Sequence, residues 1–256
     1  PFEIFWSSYE QNIQKVYCSC KELIRTFAKS HTDKHFHAPD IGGIMLPMKK
    51  GRLIVFEGID GAGKATQVKM LARTLRARGR KVTTFSFPDY SKPVGIFIHE
   101  ALHNKHGDFR SLNAYFTSLP YAVDRALARD KILSALKKGD VVCDRYTTSG
   151  LAFGAANCPK SERTEFRKFF EDLEYKRFKL PRPSIVLYLE LPVVTSQKWL
   201  RSERGKKLDA NESDVRYQKE VAKEYSVLSK RREWKKISCA AGEPPAVIHQ
   251  RVWDAV

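Results

Sequence analysis

The stretch Gly58-Ile59-Asp60-Gly61-Ala62-Gly63-Lys64-Ala65-Thr66 has the composition and spacing of a loop that cradles phosphate. Glycines let backbone N–H groups turn inward around phosphate oxygens, and a helix N-terminus behind them adds partial positive charge. A lysine at the end of such a loop reaches the β- and γ-phosphates of a nucleotide as a point charge. The pattern G-x-x-x-x-G-K-[ST] wants a hydroxyl directly after the lysine. Here that position is Ala65, and the first hydroxyl is Thr66.

Other residues carry chemistry of a compatible kind. Asp144-Arg145 follows an apolar run, and ligands of parallel sheets collect at the carboxyl ends of strands. An aspartate there can hold Mg²⁺ directly or through water, and an arginine can grip phosphate; a strand-end ion pair is the plainer alternative. Tyr121 and Arg125 stand four apart, so on a helix they share a face suited to stacking on and hydrogen-bonding a nucleobase. A core tyrosine and a surface arginine would give the same spacing. Phe87-Pro88-Asp89-Tyr90 reads as a turn after a strand, expected beside the phosphate loop. Arg201, Arg204, Lys206 and Lys207 form a basic cluster that suits a lid over a transferring phosphate, or simply a solvated face. Asp209 and Glu212, three apart, have the spacing of a helix capping box, which does not exclude metal binding.

These residues need a scaffold, and the pattern supplies one. Leu53-Ile54-Val55-Phe56 is a short apolar run of the buried parallel-strand type. Val68, Leu71 and Leu75 recur at helical spacing, with Gly79 as a helix stop. Residues 82–87 are β-branched and aromatic, which completes a βαβ unit. A long helix is expected over 112–136, kinked or split at Pro120, then a strand at Val141-Val142-Cys143 that ends at Asp144. Residues 166–178 read as helix, Pro181 and Pro183 as a break, 185–191 as a strand, 216–232 as helix and 234–239 as a last strand. Such alternation means an α/β fold, a parallel sheet with helices on its faces.

The chain has 256 residues and a formal net charge of +17, with 42% hydrophobic residues. That suits a domain with a real core, and no run is long enough to span a bilayer. The basic residues are spread along the chain, without the aromatic interleaving of a single-strand binding surface. Anionic nucleotides therefore explain the charge better than specific nucleic-acid binding does. The five cysteines lack regular spacing and read as reduced thiols. Residues 1–50 are expected to be an extension or leader outside the main domain at 51–256, with Met48-Lys49-Lys50-Gly51 a natural start. Glu3, Glu10 and Glu22 argue against a transit peptide.

In order and spacing, several motifs resemble the thymidylate kinase family of nucleoside monophosphate kinases. They are Phe56-Glu57-Gly58 through Lys64, Phe87-Pro88, Asp124-Arg125, Asp144-Arg145-Tyr146 with Ser149-Gly150, and Leu180-Pro181-Arg182-Pro183. The resemblance implies a three-layer P-loop fold and transfer of the ATP γ-phosphoryl group to dTMP, giving dTDP and ADP for dTTP synthesis. It implies that Asp60 contacts the sugar 3′-hydroxyl near the metal, and that Phe87 with Pro88 and Tyr121 lines the thymine pocket. Arg125 would hold the base and Arg145 the acceptor phosphate, while Phe153 beside Gly150 would crowd the 2′ position. Tyr90 falls where some members carry an arginine, which removes one phosphate ligand that Lys92 would have to replace. Some members carry a catalytic arginine directly after the loop aspartate. Here that position is Gly61, so Arg201 or Arg204 in the lid is expected to do the work beside Lys64 and Arg145. The family often has a small residue before a threonine, as in Ala65-Thr66. Such sites hold Mg²⁺ through water and acids elsewhere, here Asp60, Asp144, Asp209 and Glu212. A homodimer in the cytoplasm is implied, with organellar import through the first fifty residues left open.

Three alternatives remain at this point. A deoxynucleoside kinase must deprotonate a sugar hydroxyl, for which Asp89 is the candidate. A nucleic-acid-dependent ATPase would use the basic surface, although Arg145 after Asp144 suits phosphate binding better. A degenerate nucleotide binder would follow if Ala65 disables the loop.

Overall fold

The apolar run after Arg52 forms β1 (Leu53–Glu57), and every one of its five residues is buried. The remaining strands are β2 (Val82–Ser86), β3 (Asp140–Asp144), β4 (Ile185–Glu190) and β5 (Trp234–Ser238). They form one sheet in the order β2-β3-β1-β4-β5, and all neighbours are parallel. The computed structural model describes residues 51–204 and 208–256, and of Arg110, Glu203 and Arg204 the backbone alone. The expectations for residues 1–50, Lys206, Lys207 and the Arg204 side chain lie outside the described residues.

Strands buried on both faces must be nearly all apolar, and β1, β3 and β4 comply. Their register decides the site. Phe56 sits level with Asp144 on β3 and with Leu187 on β4, so β1 and β3 end together at the carboxyl side of the sheet while β4 runs on to Glu190. β2 is not the neighbour of β1 in the sheet. β3 lies between them, and Phe87 reaches the site by donating its N–H to the Asp144 carbonyl, 3.0 Å away.

Helices cover the sheet. α1 (Lys64–Ala77) follows the phosphate loop, α2 (Pro93–Leu102) follows β2, and α3 (Ala114–Lys138) runs as one helix through Pro120. Asn113 caps α3 by accepting from the Tyr115 N–H at 2.9 Å. α4 (Thr147–Ala156) packs against α3, against α5 (Arg163–Glu171) and against α8 (Val215–Leu228). The expected helix over 166–178 is α5 continuing into a π-helical turn, Asp172–Arg177. α6 (Val193–Arg204) and the short α7 (Ala210–Ser213) precede α8, and α9 (Pro245–Asp254) closes the described chain against α1. Among the described residues, no helix is long and apolar enough to cross a membrane.

Candidate active site

The loop between β1 and α1 has the geometry its glycines require. Gly61 and Gly63 have φ of 77° and 82°, left-handed values that side-chain-bearing residues rarely adopt. Gly61 also faces α6 closely: a Cβ there would stand 3.1 Å from Ser196 Oγ and 3.3 Å from the Trp199 ring. Gly63 offers no side-chain cap to α1, which leaves its first N–H groups open to an anion. Ala65 and Thr66 are exposed on that first turn. Lys64 is buried and folds back over the loop, donating to the carbonyls of Gly58 at 3.1 Å and Ile59 at 2.8 Å. Burial, then the nearby Arg145 charge, lower its pKa to about 8.

Behind the loop stands a buried carboxylate to which the sequence reading assigned no role. Glu57, the last residue of β1, is fully buried. It accepts from the Tyr146 N–H at 3.2 Å, Thr148 Oγ1 at 2.5 Å, Ser149 Oγ at 2.5 Å and Tyr225 Oη at 2.7 Å. A buried charge is tolerable only when so satisfied. The same hydroxyls of Ser149 and Tyr225 each accept from Arg145 Nη1 at 3.3 Å. Arg145 Nη2 pairs with Asp60 at 2.5 Å, and its guanidinium lies 4.8 Å above the Phe153 ring centroid. Arg145 has φ of 62°, a strained conformation for a residue with a Cβ. Its carbon skeleton is thus turned toward the loop and fixed from four sides. Burial opposes its charge, but Asp60, Tyr225, Glu57 and Asp144 outweigh that and raise its pKa. Asp60 is the complement: burial would raise its pKa, yet Arg145, Lys64 and Gln218 hold it below the usual carboxylate range.

Next to the loop opens a cavity of about 860 Å³ including its mouth. All nine residues expected to bind the acceptor line it: Asp60, Phe87, Pro88, Tyr90, Tyr121, Arg125, Arg145, Gly150 and Phe153. Leu102 and Phe109 add an apolar wall that the sequence reading missed, because they belong to α2 and the turn after it. Arg125 is more constrained than expected. Its Nε and Nη2 donate to Glu174 at 2.7 and 2.8 Å, and both side chains are almost wholly buried. Gly150 makes room for this pair, since a Cβ there would lie 2.8 Å from Arg125 Nη2. Asp89 is not among the lining residues. Its carboxylate accepts from the Ser91 N–H at 3.1 Å and Ser91 Oγ at 2.6 Å, and the hydroxyl bond foremost lowers its pKa.

α7 and its cap are tied to the loop through α8. Asp209 and Glu212 form the capping box of α7: Asp209 accepts from the N–H groups of Asn211 and Glu212 at 2.8 Å, and Glu212 accepts from the Asp209 N–H at 3.3 Å. Gln218 of α8 donates 3.0 Å bonds to Asp60 and to the Asn211 carbonyl, linking this segment to the phosphate loop. Ser196 of α6 donates to the Asp60 carbonyl. Burial, and then the charges of Asp60 and Glu212, push Asp209 up to about 6. Arg201 is exposed on the last turn of α6.

Among the described residues, no three His, Cys, Asp or Glu side chains converge on one metal position. That donor set still fits Mg²⁺, which takes one or two carboxylates, keeps waters and binds substrate phosphates. Asp144 at the end of β3 is half-buried and close enough to act on the charges of both Lys64 and Arg145. The whole arrangement offers an anion cradle, a buried lysine, a largely buried arginine and a carboxylate beside one cavity, which is equipment that phosphoryl transfer between two phosphates can use.

Comparison with known proteins gives the same direction. The family model described as Thymidylate kinase matches residues 56–252. Thymidylate kinase of Mycobacterium tuberculosis is 34% identical over 183 residues, which cover 69% of this chain and 85% of that one. Thymidylate kinase of Dictyostelium discoideum is 33% identical over 201 residues, 75% of this chain and 79% of that one. A solved structure of thymidylate kinase from Candida albicans superposes with a TM-score of 0.64 at 23% identity, covering 80% of this chain and 90% of that one, and so shares the fold. With the phosphate loop and the strand-end arginine both inside the range the family model matches, this chain belongs to the thymidylate kinase family.

Proposed function

We propose that the chain moves the γ-phosphoryl group of ATP onto dTMP, giving dTDP and ADP, with dTMP seated in the cavity beside the loop. The observation that carries the residue assignment is Arg145, largely buried, strained and held between Asp60 and the hydroxyls around Glu57 at the junction of loop and cavity. The acceptor is already a phosphate anion, so the reaction needs no general base, only positioning and charge neutralisation. We assign the acceptor phosphate to Arg145, the ATP phosphates to Lys64 and the loop N–H groups, and the base to Phe87, Tyr121 and the remaining amine of Arg125. Phe153, stacked under Arg145, would both support it and crowd the 2′ position. Mg²⁺ would neutralise phosphate charge when bound; Asp144 is its first ligand in this reading, with Asp60, Asp209 and Glu212 near. Arg201 or Arg204 would supply lid charge at the transition state.

The test is a screen of dTMP, dUMP, dGMP, CMP and thymidine with Mg-ATP. dTMP should have the highest kcat/KM. A preference for thymidine would instead mark a nucleoside kinase, which the engagement of Asp89 by Ser91 argues against. We also propose a homodimer through α3, where Phe116, Leu119 and Leu127 are exposed at spacings that share one helix face. The free thiols Cys143, Cys158 and Cys239 are in keeping with a reducing compartment, and we place the enzyme in the cytoplasm.

A further inference from the structure

One helix of the cavity wall carries metal-ligand chemistry that phosphoryl transfer does not use. α2 buries Ile98 and Leu102, with Leu102 lining the cavity, and turns His99 and His103 outward to solvent. The two imidazoles stand four residues apart and stack with centroids 4.2 Å apart. His103 Nδ1 lies 2.7 Å from the His99 carbonyl oxygen, so that nitrogen donates and Nε2 keeps its lone pair for the outside. That backbone bond is the one a metal-ligating histidine ordinarily makes through its other nitrogen, fixing tautomer and ring direction. Both rings also sit in the last turn and cap of α2, where the helix dipole favours a cation. We propose that His99 and His103 form a surface half-site for a divalent cation with nitrogen preference, such as Zn²⁺.

The pair has the H-E-x-x-H spacing that places two imidazoles on one helix face, but nothing hydrolytic follows. Glu100 is turned toward His106 at 3.1 Å and Lys105 at 3.6 Å, and among the described residues no third ligand joins the histidines. Water would complete the coordination, as an open Zn²⁺ position allows. The site reaches the acceptor cavity through one aromatic contact. The Tyr90 ring meets His99 edge-on at 5.7 Å, and Tyr90 lines the cavity. Drawing His99 toward a cation would move a ring that lines the cavity, so the metal should weaken acceptor binding.

The experiment is calorimetric titration of the nucleotide-free protein with Zn²⁺ for wild type, His99→Ala, His103→Ala and His106→Ala. Histidines elsewhere in the chain add the same background to all four, so the comparison between variants is decisive. Wild type and His106→Ala should share one binding event that His99→Ala and His103→Ala both lose. Equal binding in all four would overturn the site. Steady-state assays at saturating Mg-ATP then read the coupling: Zn²⁺ should raise the KM for dTMP severalfold in wild type and leave it unchanged in His103→Ala. An equal rise in both would overturn the link through Tyr90.

Discussion

Lys64 shows how burial sets the working range of a single residue. In the free enzyme its ammonium is desolvated and lies near the Arg145 charge, which lowers its pKa to about 8. The charged form is therefore lost as pH rises through that value, well before an exposed lysine would titrate. Because kcat/KM reports the free enzyme, its value for ATP should fall above about pH 8. Lys64→Arg should be slower, since a guanidinium does not reproduce a point charge, but its profile should stay flat to pH 10. A falling limb that persists in Lys64→Arg would assign the titration to another group. Ala65 poses the opposite question. It is exposed on the first turn of α1, next to Thr66, so Ala65→Ser adds a hydroxyl without a clash. We expect kcat to change by less than about threefold, equivalent to under 1 kcal/mol. A gain of a hundredfold would mean that the natural loop is impaired.

Glu57 belongs to the junction of two elements, because its carboxylate holds the first turn of α4 and the Tyr225 hydroxyl of α8 against the end of β1. Glu57→Gln keeps the shape but turns one acceptor oxygen into a donor amide facing hydroxyls. Arg145 hangs on those same hydroxyls, so the variant should lower kcat more than it raises the KM for ATP, and lower the melting temperature. A change in melting temperature alone would leave Glu57 a purely structural residue. This carboxylate was present in the sequence as a charge ending an apolar strand, but its partners were not. They come from α4 and α8, about ninety and more than 160 residues away, brought together by the register of β1 with β3, which α4 follows, and by the packing of α8 on α4. β1, β3 and β4 were legible because burial on both faces demands apolar runs, whereas the edge strands β2 and β5, largely exposed, were read from their β-branched and aromatic residues or from their place in the alternation. α4 was not: Thr147-Thr148-Ser149-Gly150 is poor helix sequence, and its helix is packed by α3, α5 and α8 on several sides, so no amphipathic period survives. The π-helical turn after α5 was equally hidden, since it changes only the hydrogen-bond register. It places Glu174 under Arg125, a tertiary demand that overrides local periodicity. The nine residues expected at the acceptor do line one cavity, but Gly150 and Phe153 of α4 came only with the family resemblance, since nothing in their local sequence marks a helix face.

At the scale of the molecule, α3 separates two environments. Its inner face carries Ser118, Ala122, Arg125 and Ala126, all buried, and reaches the cavity through Tyr121 and Arg125. Its outer face exposes Phe116, Leu119 and Leu127, with Val123 half-buried among them. At 100° per residue these four fall within about 80° of one another, a narrow apolar stripe on the outside of a folded domain. A second copy of the same stripe is the proposed cover, and full burial of such side chains is worth roughly 1.5–3 kcal/mol each. A charge introduced into that contact is buried against the partner's copy of the stripe, which costs the lost burial and the desolvation of the charge. Leu127→Glu should therefore sediment with half the mass of wild type while keeping its far-ultraviolet circular dichroism. Because Arg125 is two residues away on the same helix, the separated form should also bind dTMP more weakly, with the KM for ATP nearly unchanged. Wild type that sediments as a monomer at micromolar concentration would refute the dimer and leave the stripe to another partner.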